Sequence, residues 1–233
     1  MASGTRFVRV EALAALGSIL AFVCFTIVSS DAVASPRECA PVTSHGGASN
    51  GPAREIPTGT EESEQGQDLS SCPQEFPGLG NFAEVDRGRL YRSAQPTREG
   101  LQLARSRFGI RTVISFRAFH SDRSDAESLG LQYYRIPFNA WNVRPEDAVR
   151  FLKLVTDPEN YPILVHCQHG ADRTGTMVAV YRIFVQGWKT EEAIGELPRF
   201  GFHTIWANLK TFLRDEEWRR AAEQAGILRD GLQ

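Results

Sequence analysis

Charge of one sign is what this sequence most plainly lacks. Its 26 lysines and arginines nearly balance 28 aspartates and glutamates, leaving a formal net charge of −2. Such a chain has no global electrostatic pull toward nucleic acid or anionic membranes, so any recognition of an anion must be local. Cysteine is sparse, four in 233 residues. His120 and His203 stand at no metal-ligand spacing from any of the four, so no metal site is expected. No internal repeat is present. Large apolar side chains are few from residue 35 to about 72, where Ser, Gly, Pro, Thr and Glu dominate. A stretch of that composition cannot bury enough surface to offset its ordering entropy, and it reads as a flexible tether.

What is present begins at the N-terminus. Arg6 and Arg9 form a basic segment, Ala12 to Val28 are almost wholly apolar, and Ala32-Val33-Ala34 offers a small-x-small cleavage site before Ser35. This is the organisation of an export signal. The apolar run is near the lower limit of about 17 residues for spanning a bilayer, so an uncleaved membrane anchor is the competing reading. Val23 stands before Cys24 where a lipoprotein box wants a small residue. The chain thus divides into 1–34, signal or anchor; 35–72, linker; and 73–233, a globular domain expected outside the cytoplasm, periplasmic or membrane-anchored. In an oxidising compartment Cys39 and Cys72 could pair, or both could stay free.

From Pro73 onward, periodicity and punctuation predict alternating elements. Thr97 caps a helix over 98–108 that Gly109 stops. Residues 110–116 and 131–136 read as short strands. Pro145 and Glu146 start a helix carrying Ala148, Val149, Phe151, Leu152 and Val155. Ile163-Leu164-Val165 is a further strand, followed by a helix over 174–186 that ends at Gly187. Two more helices are expected over 190–197 and 205–225. Strands alternating with helices indicate an α/β domain, its central, largely parallel sheet of four to five strands flanked by helices.

One segment carries chemistry: His166-Cys167-Gln168-His169-Gly170-Ala171-Asp172-Arg173-Thr174-Gly175. A strand, a short turn and a helix N-terminus make an anion site, because the first helical turn leaves N–H groups unpaired and the helix dipole favours negative charge. Gly170 and Gly175 allow the tight turn. The surroundings that hold phosphate also favour thiolate over thiol, so a phosphate cradle and an activated nucleophile are one construction. Arg173 can grip two phosphoryl oxygens bidentately, as a lysine could not. Thr174 could donate its hydroxyl to the thiolate.

On those residues the sequence resembles the cysteine-dependent protein-tyrosine and dual-specificity phosphatases, whose signature is His-Cys-x5-Arg-Ser/Thr-Gly. It is most similar to small exported bacterial dual-specificity-like enzymes. Gly88-Arg89-Leu90-Tyr91-Arg92-Ser93-Ala94-Gln95-Pro96, Thr112 to Arg117 and Gln186-Gly187-Trp188 extend the likeness over residues 76–220. The resemblance implies a dual-specificity phosphatase-like fold and attack of Cys167 on phosphorus to give a phosphocysteine. It implies that Arg173 and the loop from Gln168 through His169, Gly170, Ala171 and Asp172 hold the phosphoryl oxygens, and that His166 orients the loop. It calls for no metal or cofactor, since Arg173 and the amides supply the charge stabilisation. The implied substrates are phosphorylated proteins at tyrosine, and at serine or threonine. A phosphoinositide or inositol phosphate is the alternative, and a catalytically weak phosphate-binding module a third reading.

The resemblance also exposes a gap. The family places an aspartic acid 25 to 35 residues before the cysteine as general acid. Here Asn139 to Trp141 carry no acid. Asp172, inside the loop, and Asp147, just beyond that stretch, are the candidates; Asp122 and Asp125 are a third option. Asp147 also suits a first helical turn. Arg92 and Gln95 are expected either to brace the site or to pack near the first helix. Arg117 ends a strand on the side where such sheets bind ligands. Trp141, Trp188, Trp206 and Trp218 are expected to pack.

Overall fold

A computed structural model describes residues 72–227. The expected export segment at 1–34, the tether through residue 71, and Cys39 lie outside the described residues. Cys72 is disulfide-bonded, and Cys167 is a free thiol. No helix among the described residues is long and apolar enough to cross a membrane.

Among the described residues six short strands build one sheet: β1 (Gln74–Phe76), β2 (Leu79–Asp86), β3 (Leu90–Ser93), β4 (Thr112–Ser115), β5 (Gln132–Arg135) and β6 (Ile163–His166). Their spatial order is β1-β2-β3-β6-β4-β5. β1, β2 and β3 pair antiparallel, whereas β3, β6, β4 and β5 run parallel. The parallel part is as expected from the sequence. The antiparallel flank raises the count to six; its outermost strand, β1, is only three residues long, too short a run to stand out in the sequence.

Among the described residues seven α-helices cover the two faces. α1 (Arg98–Phe108) and α2 (Arg123–Ser128) lie on one, and α3 (Pro145–Val155), α4 (Asp172–Phe184), α5 (Thr190–Glu196), α6 (Ala207–Arg214) and α7 (Glu217–Gln224) on the other. Strand alternation divides the core accordingly. On β6, Ile163 and Val165 join the larger cluster with Phe151, Val178 and Leu209, while Leu164 joins the smaller one with Leu101 and Ala104. A strand covered on both faces must be apolar throughout, which is why Ile-Leu-Val sits at the centre.

Local signals set the helix ends. The Thr97 hydroxyl accepts from the Gly100 N–H at 3.2 Å, and Gly109 closes α1 at φ +68°. α1 docks closely on the β1–β2 turn: a Cβ on Gly100 would lie 1.9 Å from the Gly78 carbonyl oxygen. The single helix expected over 205–225 is two. Asp215 is extended (φ −71°, ψ 138°), and its carboxylate accepts from the Glu217 N–H at 2.9 Å, starting α7 afresh. The break lets Trp218 turn fully inward against Phe184 and Phe212.

Register then positions the site. Ser93 of β3 and Ser115 of β4 both pair with His166 of β6, and Ser115 also pairs with Arg135 of β5. The carboxyl ends of the parallel strands therefore finish in one row, the edge at which open α/β sheets place their ligands.

Candidate active site

β6 delivers Cys167 to that edge, and α4 begins five residues later at Asp172. The intervening loop turns at Gly170 with φ +70°; a side chain there would meet the Ser93 carbonyl oxygen at 2.6 Å. Among the described residues, no backbone N–H from Gln168 to Arg173 donates to a protein acceptor outside regular structure. These donors lie at the start of a thirteen-residue helix, where the helix dipole favours an anion.

Several side chains hold the loop from below. Arg92 is fully buried, donates from Nη2 to the Gly170 carbonyl at 2.8 Å, and stacks 3.6 Å from the Phe200 ring centroid. Burial pushes its guanidinium down to about 10, against the opposing pull of Glu196 and Cys167. Arg92 therefore braces the phosphate loop itself, a role its position before α1 only half suggested. The Asn81 side chain donates to both the His169 carbonyl (2.9 Å) and the Phe200 carbonyl (3.1 Å), tying the loop to the turn after α5. Nothing in the sequence marked Asn81, because its partners are 88 and 119 residues away. Gln95 N–H donates to the Gln168 carbonyl at 3.0 Å.

Cys167 is 2% exposed at the base of the loop. Beside it, both ring nitrogens of His166 face acceptors: Nδ1 is 3.2 Å from the Cys167 carbonyl oxygen and Nε2 is 3.1 Å from Asp122 Oδ2. The Tyr133 hydroxyl donates to the other Asp122 oxygen at 2.8 Å. Burial works to raise the Asp122 carboxyl, but His166 and Tyr133 outweigh it and bring it down to about 2. Asp122 is thus a buried anion beneath the site, and its candidacy as general acid is withdrawn. Asp125 pairs with Arg98 at 3.3 Å on the surface and is withdrawn with it. Thr174 is buried next to the loop, and its hydroxyl has no hydrogen-bond partner among the described residues. That free hydroxyl is available to a thiolate.

Above the loop opens a cleft of about 410 Å³. Gln168, His169, Asp172 and Arg173 form its floor, and Arg117 and Asn139 its flank. Arg173 is anchored from Nη1 to the carbonyls of Phe116 (3.1 Å) and Phe138 (3.5 Å), at the ends of β4 and β5. Its other nitrogens remain for a ligand. Arg117 brings a second guanidinium, steadied by Gln95 Oε1 at 3.3 Å. Phe119, Trp141, Ile205 and Trp206 make the walls. Trp141 and Trp206 were expected merely to pack; their rings, 6.3 Å apart, instead line the cleft.

The two principal acid candidates part company. Asp147 is buried, accepts from the Arg144 N–H at 3.1 Å, and caps α3. Burial raises its carboxyl, the Arg144 hydrogen bond and charge opposing. It does not line the cleft, so the helix-capping alternative describes it and its catalytic role is withdrawn. Asp172 does line the cleft, and its carboxylate is bound by His203. Among the described residues no three His, Cys, Asp or Glu side chains converge as a metal site.

A nucleophilic cysteine and an arginine six residues on, cradled between a central parallel strand and a helix N-terminus, define the cysteine-dependent phosphatase class. Comparison with known proteins agrees. The sequence profile of the tyrosine phosphatase family matches residues 78–224, and the chain belongs to that family. It is 36% identical over 114 residues to the dual specificity protein phosphatase TpbA of Pseudomonas aeruginosa, covering 48% of this chain and 51% of that protein. It is 26% identical over 155 residues to the inositol diphosphatase SIW14 of Saccharomyces cerevisiae, covering 62% and 54%. The chain spans about half the length of these curated relatives. The crystal structure of a cysteine-to-serine variant of P. aeruginosa TpbA in complex with phosphotyrosine superposes with a TM-score of 0.57 at 26% identity, over 68% of this chain and 98% of that one.

Proposed function

We propose that the protein is a phosphatase that hydrolyses phosphotyrosine monoesters, and phosphoserine or phosphothreonine with lower preference, through a phosphocysteine intermediate. The observation that carries this reading is the cleft. The anchored Arg173 and the loop residues that follow the free thiol of Cys167 line it, and Phe119, 91% exposed, and Trp141, 65% exposed, stand at its mouth. Exposed rings beside an anion cradle suit a planar aryl ester, whose faces they can cover once water is expelled. The TpbA complex with phosphotyrosine supports the same assignment.

Cys167 thiolate attacks phosphorus as the P–O bond to the leaving oxygen breaks. Arg173 and the loop amides take the charge on the remaining phosphoryl oxygens, and positive charge held in place before the reaction serves as a metal ion would. Water then attacks the phosphocysteine, releasing phosphate and thiolate, which the Thr174 hydroxyl can receive. Phosphate release from a phosphotyrosine peptide tests the proposal. Cys167→Ser abolishes turnover and retains the peptide; full turnover in that variant sinks it, and tight peptide binding without release by the unaltered protein leaves a binding module.

A second reading, an inositol polyphosphate substrate, is favoured by Arg117, a second guanidinium in the same cleft, and by the likeness to the inositol diphosphatase SIW14. Phosphate release from such a polyphosphate exceeding that from the peptide would select it. For the N-terminal segment we propose export, with cleavage or retention as an anchor, on the strength of the basic residues, apolar run and small-x-small site. Cell fractionation with N-terminal sequencing of the recovered protein tests this, and full-length protein in the cytosol overturns it.

A further inference from the structure

The cleft has no carboxylic acid on the 139–141 stretch: Asn139, Ala140 and Trp141 line it there. Its lining includes one carboxylate, Asp172, and that carboxylate is already engaged. Oδ1 accepts the His203 backbone N–H at 2.8 Å, and the His203 ring Nδ1 lies 2.9 Å from Oδ2 and 3.1 Å from Oδ1. A carboxylate accepting from two N–H groups is held as an acceptor, and a proton placed on it would compete with them. Asp172 is therefore badly placed to donate a proton itself and well placed to orient one that does.

His203 meets the requirements. With Nδ1–H on Asp172, the remaining proton-exchanging atom is Nε2, and the side chain is half exposed (53%) while that of Asp172 is mostly covered (12%). Both residues line the cleft beside Arg173. The His203 segment is secured to the phosphate loop by Asp172 on one side and by Asn81, which joins the Phe200 and His169 carbonyls, on the other. His169 also lines the cleft, its ring 6.0 Å from that of His203, but no carboxylate orients it. A carboxylate fixing one imidazole nitrogen so that the other exchanges protons with substrate is a recurrent catalytic arrangement.

We propose that His203, oriented by Asp172, is the proton donor and acceptor of this site. The proposal rests on the phosphatase reading above. In the first step the Cys167–phosphorus bond forms and the phosphorus–oxygen bond to the leaving group breaks. The proton on His203 Nε2 passes to the leaving oxygen, giving a neutral phenol or alcohol. In the second step neutral Nε2 takes a proton from the attacking water as its oxygen bonds to phosphorus. The sulfur–phosphorus bond breaks, the thiolate departs, and inorganic phosphate and protonated His203 remain. His203 is then the catalytic residue and Asp172 a positioning residue. The charged and titratable groups facing His203 are Asp172, His169 and Arg173 from the loop, and Arg117 from across the cleft.

The test is leaving-group and pH dependence in the full chain. Turnover of phenyl phosphate, whose leaving oxygen needs a proton, falls by about 100-fold in His203→Gln. Turnover of p-nitrophenyl phosphate, whose phenolate departs readily, falls far less. The basic limb of the pH–kcat profile disappears in that variant, and imidazole added to His203→Gly restores phenyl phosphate turnover. Asp172→Asn lowers kcat but keeps the basic limb. Equal losses on both esters with an unchanged basic limb would show that His203 is only structural. A basic limb lost in Asp172→Asn and kept in His203→Gln would make the carboxylate the acid. Either result overturns the proposal. A wild-type protein inert toward both esters instead overturns the phosphatase reading, so the two failures are distinguishable.

Discussion

At the scale of single residues, the site is a set of charges whose signs are set by burial and by partners. Asp122 illustrates this, because it is a buried carboxylate kept ionised by His166 and Tyr133. Its carboxyl sits at about 2, below an ordinary value of 3.8. A depressed carboxyl contributes stability that is complete above the ordinary value and disappears as pH falls through the depressed one. Asp122→Asn is accordingly expected to lose about 1.5–3 kcal/mol at pH 7, the scale of a hydrogen bond to a charged group. The gap between wild type and variant narrows as pH falls from about 4 toward about 2. Urea unfolding of both proteins across that range checks the sign, and a gap that widens in acid contradicts it.

At the scale of elements, the β6–loop–α4 unit carries the chemistry, and its geometry depends on close backbone approach. Gly170 is both left-handed and within 2.6 Å, measured from a hypothetical Cβ, of the Ser93 carbonyl oxygen. Backbone cannot give way as a flexible side-chain end can. Gly170→Ala is therefore expected to distort the loop carbonyl that Arg92 holds, with phosphate or vanadate inhibition weakened at least about tenfold, or 1.4 kcal/mol. Far-UV circular dichroism should change little, since α4 is anchored independently by Met177, Val178 and Tyr181 in the core. Vanadate affinity equal to that of the wild type would contradict this account of the turn. α6 and α7 make a complementary point: the extended Asp215, whose carboxylate accepts from the Glu217 N–H, divides what apolar periodicity alone would join.

At the scale of the whole molecule, one sheet separates two apolar clusters and β6 belongs to both. Removing a buried residue on either face should therefore be felt throughout. Leu164→Ala, on the α1 side, is expected to cost about 2–5 kcal/mol. It is expected to do so in a single transition, with tryptophan fluorescence and far-UV circular dichroism coincident. The four tryptophans, Trp141, Trp188, Trp206 and Trp218, lie on the opposite side of the sheet or at the cleft, so they report on the distant face. Two separated transitions would mean that the clusters unfold independently.

The sequence by itself determined the α/β class and the family signature, and it located the candidate nucleophile and phosphoryl clamp. Each of these is local: a cysteine and an arginine six apart in one loop, an apolar strand before it, and helix caps such as Thr97 and Gly109 acting within a turn. It also identified the absence of an acid from 139–141, since an absent side chain needs no geometry to establish. Only the tertiary structure decided what stands around the loop. Arg92 beneath Gly170, Asn81 clasping two carbonyls, Asp122 against His166, and His203 on Asp172 all join residues 31 to 119 positions apart. No periodicity encodes such pairs. They exist because the parallel strands end in one row and the chain after α5 returns to the same edge. There, His166 and Tyr133 keep the buried Asp122 carboxylate charged against the cost of its burial, while His203 stays half exposed in the lining of the cleft.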